Sequence, residues 1–208
     1  MWVILDFIFI VLLVWELYKC MKGINMNKQE RKECQYSDYY RMTGEGEHTG
    51  LRCLKNLFLF HHLAFMYWYR KCQQKSTFFR RYILYRMSRK FGLEISTKAT
   101  IGKGLYLGHP YNITVAEGVQ MGQNVNLHKG CTIGRTNRGN AGVPKMGDCV
   151  FVGINATVVG NIEIGDDVLI APNSYVNVNV PSHSIVIGNP ATIHHRDNAT
   201  EGYVNFRV

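Results

Sequence analysis

A six-residue spacing of aliphatic side chains runs through the second half of the chain. The aliphatic positions are Ile95, Ile101, Leu107, Val115, Met121, Leu127 and Ile133, followed by Met146, Val152, Val158, Ile164, Ile170 and Val176. Glycine follows the aliphatic residue at many of these positions. A period of six is too short for a helix-pair solenoid and fits a parallel β-coil in which three short strands complete a turn. The pattern therefore predicts a mainly β fold, a parallel β-helix with one buried aliphatic column.

The period is broken twice. Leu107 and Val115 are eight residues apart, so we expect residues 108–112 to bulge out of the coil. Ile133 and Met146 are thirteen apart, where twelve would keep the phase, and the polar segment RTNRGNAGVPK between them is typical of an external loop. Irregular segments of a periodic solenoid are the expected location of function.

Helices are predicted over residues 51–92, because this segment contains no proline and only one glycine, Gly92, where a helix could end. Aromatic side chains alternate there with Arg70, Lys71, Lys75, Arg80, Arg81, Arg86, Arg89 and Lys90. Such a segment can lie on an anionic membrane surface. The alternative is a helical cap on the neighbouring domain with solvated charges, and the two are compatible.

The first 18 residues are strongly apolar, interrupted by Asp6 and Glu16. No basic residue precedes the apolar run and no small-residue cleavage site follows it, so a secretory signal is not expected. A helix of this length would span about 27 Å, barely a bilayer core. Three hypotheses stay open: a membrane anchor, a helix packed on a partner, and a true start at Met21 or Met26. The predicted division is an apolar segment 1–20, a basic helical region 21–92, a β-helix domain 93–193 and a tail 194–208.

Charge is divided unevenly between these parts. Residues 1–92 hold 16 of the 24 Lys and Arg and 7 of the 15 Asp and Glu, so the whole net charge of +9 lies there. The repeat region has no basic field, and we expect no nucleic-acid partner. Six scattered cysteines without a CxxC pair indicate reduced thiols of a cytoplasmic protein. Basic residues after the apolar segment would keep the rest of the chain on the cytoplasmic face of the inner membrane if that segment is an anchor.

Residues 93–193 resemble the hexapeptide-repeat acyltransferases, most closely their serine acetyltransferase-like branch. The matching stretches are LEISTKATIGKGLYLGHPYNITV, CTIGRTNRG, VPKMGD, FVGINATVVGNIEIGDDVLIAPNSYV and VPSHSIVIGNPA. The resemblance implies a left-handed β-helix, a homotrimer with active sites between subunits, and acetyl-CoA as co-substrate with no metal.

The resemblance also implies a catalytic pair. The family's general base is a histidine in the bulge, which is His109 here, and an acidic residue one coil earlier orients it, which is Glu94 here in place of the usual Asp. A neutral imidazole can take the proton of an acceptor hydroxyl, typically a ~10²–10⁴-fold contribution. A carboxylate on the other ring nitrogen fixes the tautomer.

Ligand contacts are predicted from the same resemblance. Arg135, Arg138 and Lys145 could meet the phosphates of acetyl-CoA. The backbone around Ala156 and Ser174, and the turn containing Asn189 and Pro190, match places where relatives hold the pantetheine arm. Asn112 and Asn140 are the expected acceptor contacts.

Three departures bear on the acceptor. Serine-specific relatives carry Asp before the catalytic histidine and an Arg-His pair in the loop, whereas this chain has Gly108, Gly142 and Val143. A site that loses these charges loses discrimination for a zwitterion. The sequence thus predicts O-acetylation of a sugar or glycan hydroxyl in bacterial polysaccharide biosynthesis. Serine O-acetyltransferase of cysteine biosynthesis is the alternative, and a zinc-dependent, carbonic-anhydrase-like protein using His109 and His128 is a third hypothesis.

Overall fold

The computed structural model describes residues 29–44, 55–57 and 59–208. Within them, three helices precede a series of strands: α1 (Gln29–Thr43), α2 (His61–Gln74) and α3 (Phe78–Phe91). The strands are β1 (Leu93–Ile95), β2 (Thr100–Ile101), β3 (Tyr106–Gly108), β4 (Ile113–Val115), β5 (Gln120–Met121), β6 (Asn126–His128), β7 (Thr132–Gly134), β8 (Lys145–Met146), β9 (Phe151–Val152), β10 (Thr157–Val159), β11 (Glu163–Ile164), β12 (Val168–Ile170), β13 (Tyr175–Val176), β14 (Ser184–Ile187) and β15 (Thr192–His195).

The strands form three sheets whose order shows a coil. The first sheet runs β1-β4-β7-β10-β13, the second β2-β5-β8-β11, and the third β3-β6-β9-β12-β14, with β15 added antiparallel at its end. From β1 to β13, strands that are three apart in the sequence are therefore parallel neighbours, as a triangular coil requires. The predicted fold class, a hexapeptide-repeat parallel β-helix preceded by helices, is confirmed.

All thirteen aliphatic residues of the hexad series are buried. Aligned pairs such as Val115 with Ile133, and Ile133 with Val158, stack one coil on the next. This column is the core of the domain, and it explains why a side chain of similar size recurs at each turn.

The strand register shows what the two interruptions do. A regular turn takes 18 residues, as between Lys145 and Glu163. The turn from Thr100 to Gln120 takes 20, because the bulge adds two residues. The turn from Gln120 to Lys145 takes 25, so the loop adds seven. The sequence spacing predicts that Ile133 and Met146 are about two hexads apart. They lie on the consecutive strands β7 and β8, so a single hexad spans the loop and that prediction is wrong.

The helices cover the start of the coil. α3 ends at Gly92, whose left-handed φ of 66° turns the chain directly into β1. Buried Arg70 of α2 forms a 2.8 Å ion pair with Asp38 of α1 and donates to the carbonyls of Ile101 and Gly102, each at 2.7 Å. Asp38 in turn accepts from the N–H of Leu105 at 2.8 Å. One ion pair thus fastens two helices to the first turn of the β-helix.

The C-terminal tail folds back along the third sheet. The N–H of Val208 donates to Asn124 at 2.9 Å and its carbonyl accepts from the same amide at 2.9 Å. The carbonyl of Tyr203 accepts from Asn126 at 3.0 Å.

The hypotheses about the apolar segment 1–20 lie outside the described residues. In the part of the chain that the structure describes, no helix combines the length and apolar character needed to cross a bilayer.

Candidate active site

The bulge follows β3 and leads into β4, at the corner between the third and first sheets. His109 and Asn112 both adopt left-handed φ values, 49° and 54°. The second coil holds this strained turn, because the N–H of Lys129 donates to the Gly108 carbonyl at 2.9 Å and that of Gly130 to the Tyr111 carbonyl at 3.0 Å. The His109 side chain itself is exposed. The fold therefore presents a histidine on a fixed backbone, open to ligand.

The helices support the bulge from its other side. The N–H of Asn112 donates to the carbonyl of Phe91, the last residue of α3, at 3.2 Å. His61, at the start of α2, stacks on Phe91 with ring centroids 4.1 Å apart and lies 5.0 Å from the Tyr111 ring. Burial lowers the pKa of His61, opposed by a hydrogen bond to the Pro110 carbonyl. His61 is thus a neutral packing residue that ties the helical cap to the bulge.

A second histidine lies beside the bulge. His128 of β6 is in register with Gly108 of β3, one coil below. Its Nε2 is buried and has no hydrogen-bond partner among the described residues. Burial lowers its pKa, and its interaction with His109 acts in the same direction, so His128 is neutral at pH 7. The sequence singled out His128 only as a candidate zinc ligand, since nothing in the hexad pattern marks its position beside Gly108.

Glu94 lies on the outer side of β1, in register with Thr114, and is exposed. In the described part of the chain, no hydrogen bond or ion pair joins it to His109. The one-coil separation places Glu94 on the first sheet and His109 at its corner, so the predicted orienting role stays a prediction.

The predicted phosphate-binding cations lie at a different corner. Arg135 and Arg138 are exposed on the loop between β7 and β8, where the first and second sheets meet. Lys145 begins β8 and lies 3.9 Å from Glu163 with both side chains exposed. The first sheet separates this loop from His109 within one chain, so a single subunit does not bring the two predicted groups together.

The backbone groups of Ala156 and Ser174 make hydrogen bonds within the coil, and the predicted pantetheine contacts around these residues stay a prediction. The Ala156 N–H donates to Gly153 at 3.2 Å and its carbonyl accepts from Thr132 at 2.9 Å. Ser174 is equally committed, because its N–H donates to Ala171 and its carbonyl accepts from Thr157, while its hydroxyl contacts Val186 and the Gly188 N–H. Both residues are buried, and a coil repeat uses their backbone groups to hold adjacent turns together.

Asn189 and Pro190 form an exposed turn between β14 and β15, joined by a cis peptide bond.

The two predicted acceptor contacts are separated. Asn112 is in the bulge, whereas Asn140 is on the loop and donates to the Asn161 carbonyl at 2.7 Å.

Within the described ranges, no group of three His, Cys, Asp or Glu side chains is placed to hold a metal ion. Burial raises the pKa of Cys131 to about 12 and raises that of Cys72 as well, so these thiols are protonated core residues.

The chain has relatives among known proteins. The family described as "Bacterial transferase hexapeptide (six repeats)" matches residues 144–177. Serine acetyltransferase of Staphylococcus aureus is 39% identical over 120 residues, 56% of each chain. Serine acetyltransferase 4 of Arabidopsis thaliana is 38% identical over 109 residues, 52% of this chain and 31% of the relative. The chain therefore spans about a third to a little over half of these relatives' length.

Solved structures give the same relationship. The soybean serine acetyltransferase apoenzyme aligns with a TM-score of 0.67 at 26% identity, covering 79% of this chain and 69% of that one. The Neisseria gonorrhoeae serine acetyltransferase in complex with serine aligns with a TM-score of 0.62 at 27% identity, covering 85% and 73%.

These comparisons overturn the predicted glycan acceptor, which is wrong: the relatives and neighbours are named serine acetyltransferases, and one neighbour holds serine. The prediction rested on side chains missing at positions 108, 142 and 143. It could not take into account that the fold places the His128 ring against Gly108, so that the position before His109 is filled rather than open.

Proposed function

We propose that this chain is an acetyl-CoA-dependent O-acetyltransferase whose acceptor is the hydroxyl of L-serine. The observation that carries the proposal is His109, exposed on a fixed bulge of a hexapeptide β-helix that matches serine acetyltransferases over more than half of this chain. Backbone hydrogen bonds hold the bulge, and the His109 side chain stays exposed.

In the proposed reaction, neutral His109 accepts the proton of the serine hydroxyl as its oxygen attacks the thioester carbonyl of acetyl-CoA. The new carbon–oxygen bond forms as the carbon–sulfur bond breaks, and the imidazolium returns the proton to the departing thiolate. The products are O-acetylserine and free CoA. Glu94 orienting the His109 ring is part of the proposal.

The proposal includes a second and third copy of the chain. The loop that carries Arg135 and Arg138 lies at another corner from His109 in one subunit, so a neighbouring subunit must supply it to the same site. A homotrimer would do so at each of three equivalent interfaces. Asn112, exposed on the bulge, is the polar side chain proposed to contact serine there.

The test is release of free thiol from acetyl-CoA by the purified full-length chain, with mass detection of the acetylated product. L-serine is compared with L-alanine, which differs only by lacking the hydroxyl. We expect saturable, serine-dependent thiol release and O-acetylserine, with L-alanine at the hydrolysis background. A serine rate equal to the alanine rate contradicts the proposal.

A further inference from the structure

Helix α3 has two faces of opposite character. Phe79, Ile83, Met87 and Phe91, spaced four residues apart, pack against the core. The opposite side presents Phe78, Arg81, Tyr82, Tyr85 and Arg89, all exposed, and we refer to these five residues as the outer face of α3. Their spacing of three and four residues places them along one line of the helix.

The outer face combines cations with aromatic rings. α3 contains five Arg or Lys and no acidic residue. Arg80 is used elsewhere, since it donates to the carbonyls of Lys71 and Lys75 at the end of α2. Arg89 lies beside Tyr85, with its Nη1 donating to the phenol oxygen at 2.9 Å and its guanidinium 5.7 Å from the ring centroid.

Phe78 is the clearest anomaly of this face. Its side chain is 86% exposed, although a phenyl ring has no polar tip to satisfy in water. It stands in the first turn of α3, next to Arg81 and Tyr82 on the same side. A single exposed apolar residue is ordinary, whereas one that continues a line of half-exposed tyrosines and arginines forms a surface.

We infer that the outer face of α3 docks on an anionic lipid bilayer. Phe78 would enter the boundary between headgroups and acyl chains, the tyrosine rings would lie at headgroup depth, and the guanidinium groups would bind lipid phosphates. The inference is independent of the proposed acetyl transfer.

Charge selects this occupant over two others. A second copy of the same face would oppose arginines to arginines, which costs free energy without acidic partners. A nucleic-acid duplex would satisfy the cations, but its paired and stacked bases offer nothing to bury Phe78. A single strand, whose bases can stack on aromatic rings, is distinguished by an RNA probe. A bilayer with anionic headgroups satisfies both the cations and Phe78.

The experiment is vesicle co-sedimentation of the full chain, with phosphatidylcholine alone and with phosphatidylcholine mixed with phosphatidylglycerol. The test variants are Arg81→Gln/Arg89→Gln and Phe78→Ala. The matched control is Lys98→Gln/Arg196→Gln, which removes the same charge from exposed sites outside α3. Every variant keeps residues 1–28, so any contribution of that segment is common to all.

We expect the wild-type chain to prefer the anionic vesicles at low salt. Removing two surface cations should weaken that partitioning about 30-fold, and Phe78→Ala should weaken it under both low and high salt. The control should bind like the wild type. Equal weakening of test and control variants, or no preference for anionic vesicles, overturns the inference.

Two further outcomes would also overturn it. A shift of oligomeric state on Phe78→Ala in sedimentation velocity would assign the face to a second copy. Tighter binding to a single-stranded RNA probe than to anionic vesicles, lost in the Arg81→Gln/Arg89→Gln variant, would assign it to nucleic acid.

Discussion

The imidazole of His128 lies directly over the Cα of Gly108. A methyl group added at Gly108 would come 2.9 Å from Nε2 and closer still to Cε1 and Nδ1 of that ring, distances that real Cβ atoms do not show. The two residues are register partners in β3 and β6. Glycine is therefore required at this position by a neighbouring side chain.

This relationship predicts a specific coupling. Gly108→Ala should destabilise the chain by about 1–3 kcal/mol, the usual cost of overpacking. In a His128→Ala background the same change should cost much less, because the ring has been removed. The measurement is a double-mutant cycle of urea unfolding. Additive effects of the two changes would contradict the predicted contact.

We expect that removing the histidine of the bulge reduces acetyl transfer without changing thermal stability. His109→Ala should reduce acetyl transfer at least ~10²-fold, the lower range for loss of a general base, while leaving thermal stability unchanged because the side chain is exposed. His194→Ala, which removes another exposed histidine on β15, is the control and should keep full turnover. Thiol release and a melting curve are measured on both. Near-normal turnover of His109→Ala would remove the residue from the reaction.

Because the Asp38–Arg70 ion pair is buried, we expect that breaking it lowers the free energy of unfolding much more than breaking an exposed pair. Both side chains are about 95% or more buried, so Arg70→Met should leave an unpaired carboxylate and cost about 3–5 kcal/mol of unfolding free energy. The Lys98–Glu117 pair has the same 2.8 Å separation, with side chains 71% and 63% exposed. Lys98→Met should therefore cost under about 1 kcal/mol. Similar losses in the two variants, measured by urea unfolding, would contradict the prediction.

We expect the stabilising hydrogen bonds between Asp167 and the C-terminal tail to be lost in acid. Burial alone would raise its pKa, but hydrogen bonds from the Thr200 hydroxyl, His183 and the N–H groups of Thr200 and Ala199 lower it to about 2. Because the folded pKa lies below the ordinary value of 3.8, the stabilisation is complete above about pH 4 and is lost as the pH falls through 2.

Asp167→Asn should thus lower the melting temperature at pH 7 and reduce the loss of stability between pH 4 and pH 2. Asp197→Asn, at a carboxylate that is 83% exposed, is the control. Thermal melts across this pH range make the comparison. An unchanged acid transition in Asp167→Asn would show that the tail is not held by this carboxylate.

The period of six in the aliphatic residues was enough to predict the coil, since each turn must bury a side chain of similar size above the last. The length of the first interruption marked the bulge as an external segment, and the polar composition of the second marked the loop. The two-residue excess predicted a bulge over residues 108–112, and the resemblance to hexapeptide-repeat acyltransferases singled out His109 within it. The coil, the bulge and the loop can all be predicted from residues that are close together in the sequence.

Contacts between residues that are far apart in the sequence cannot be predicted from such spacing. The His128 ring over Gly108 depends on strand register across 20 residues, and the Arg70–Asp38 pair depends on how two helices meet the first turn. The commitment of Ala156 and Ser174 to neighbouring turns is invisible in a pattern that marks only which residues are small. The sequence by itself determined the coil, its core column and the position of the bulge, because one-dimensional periodicity is sufficient for them. Only the tertiary structure decided which polar groups stay free, since that depends on the partner each one finds in space.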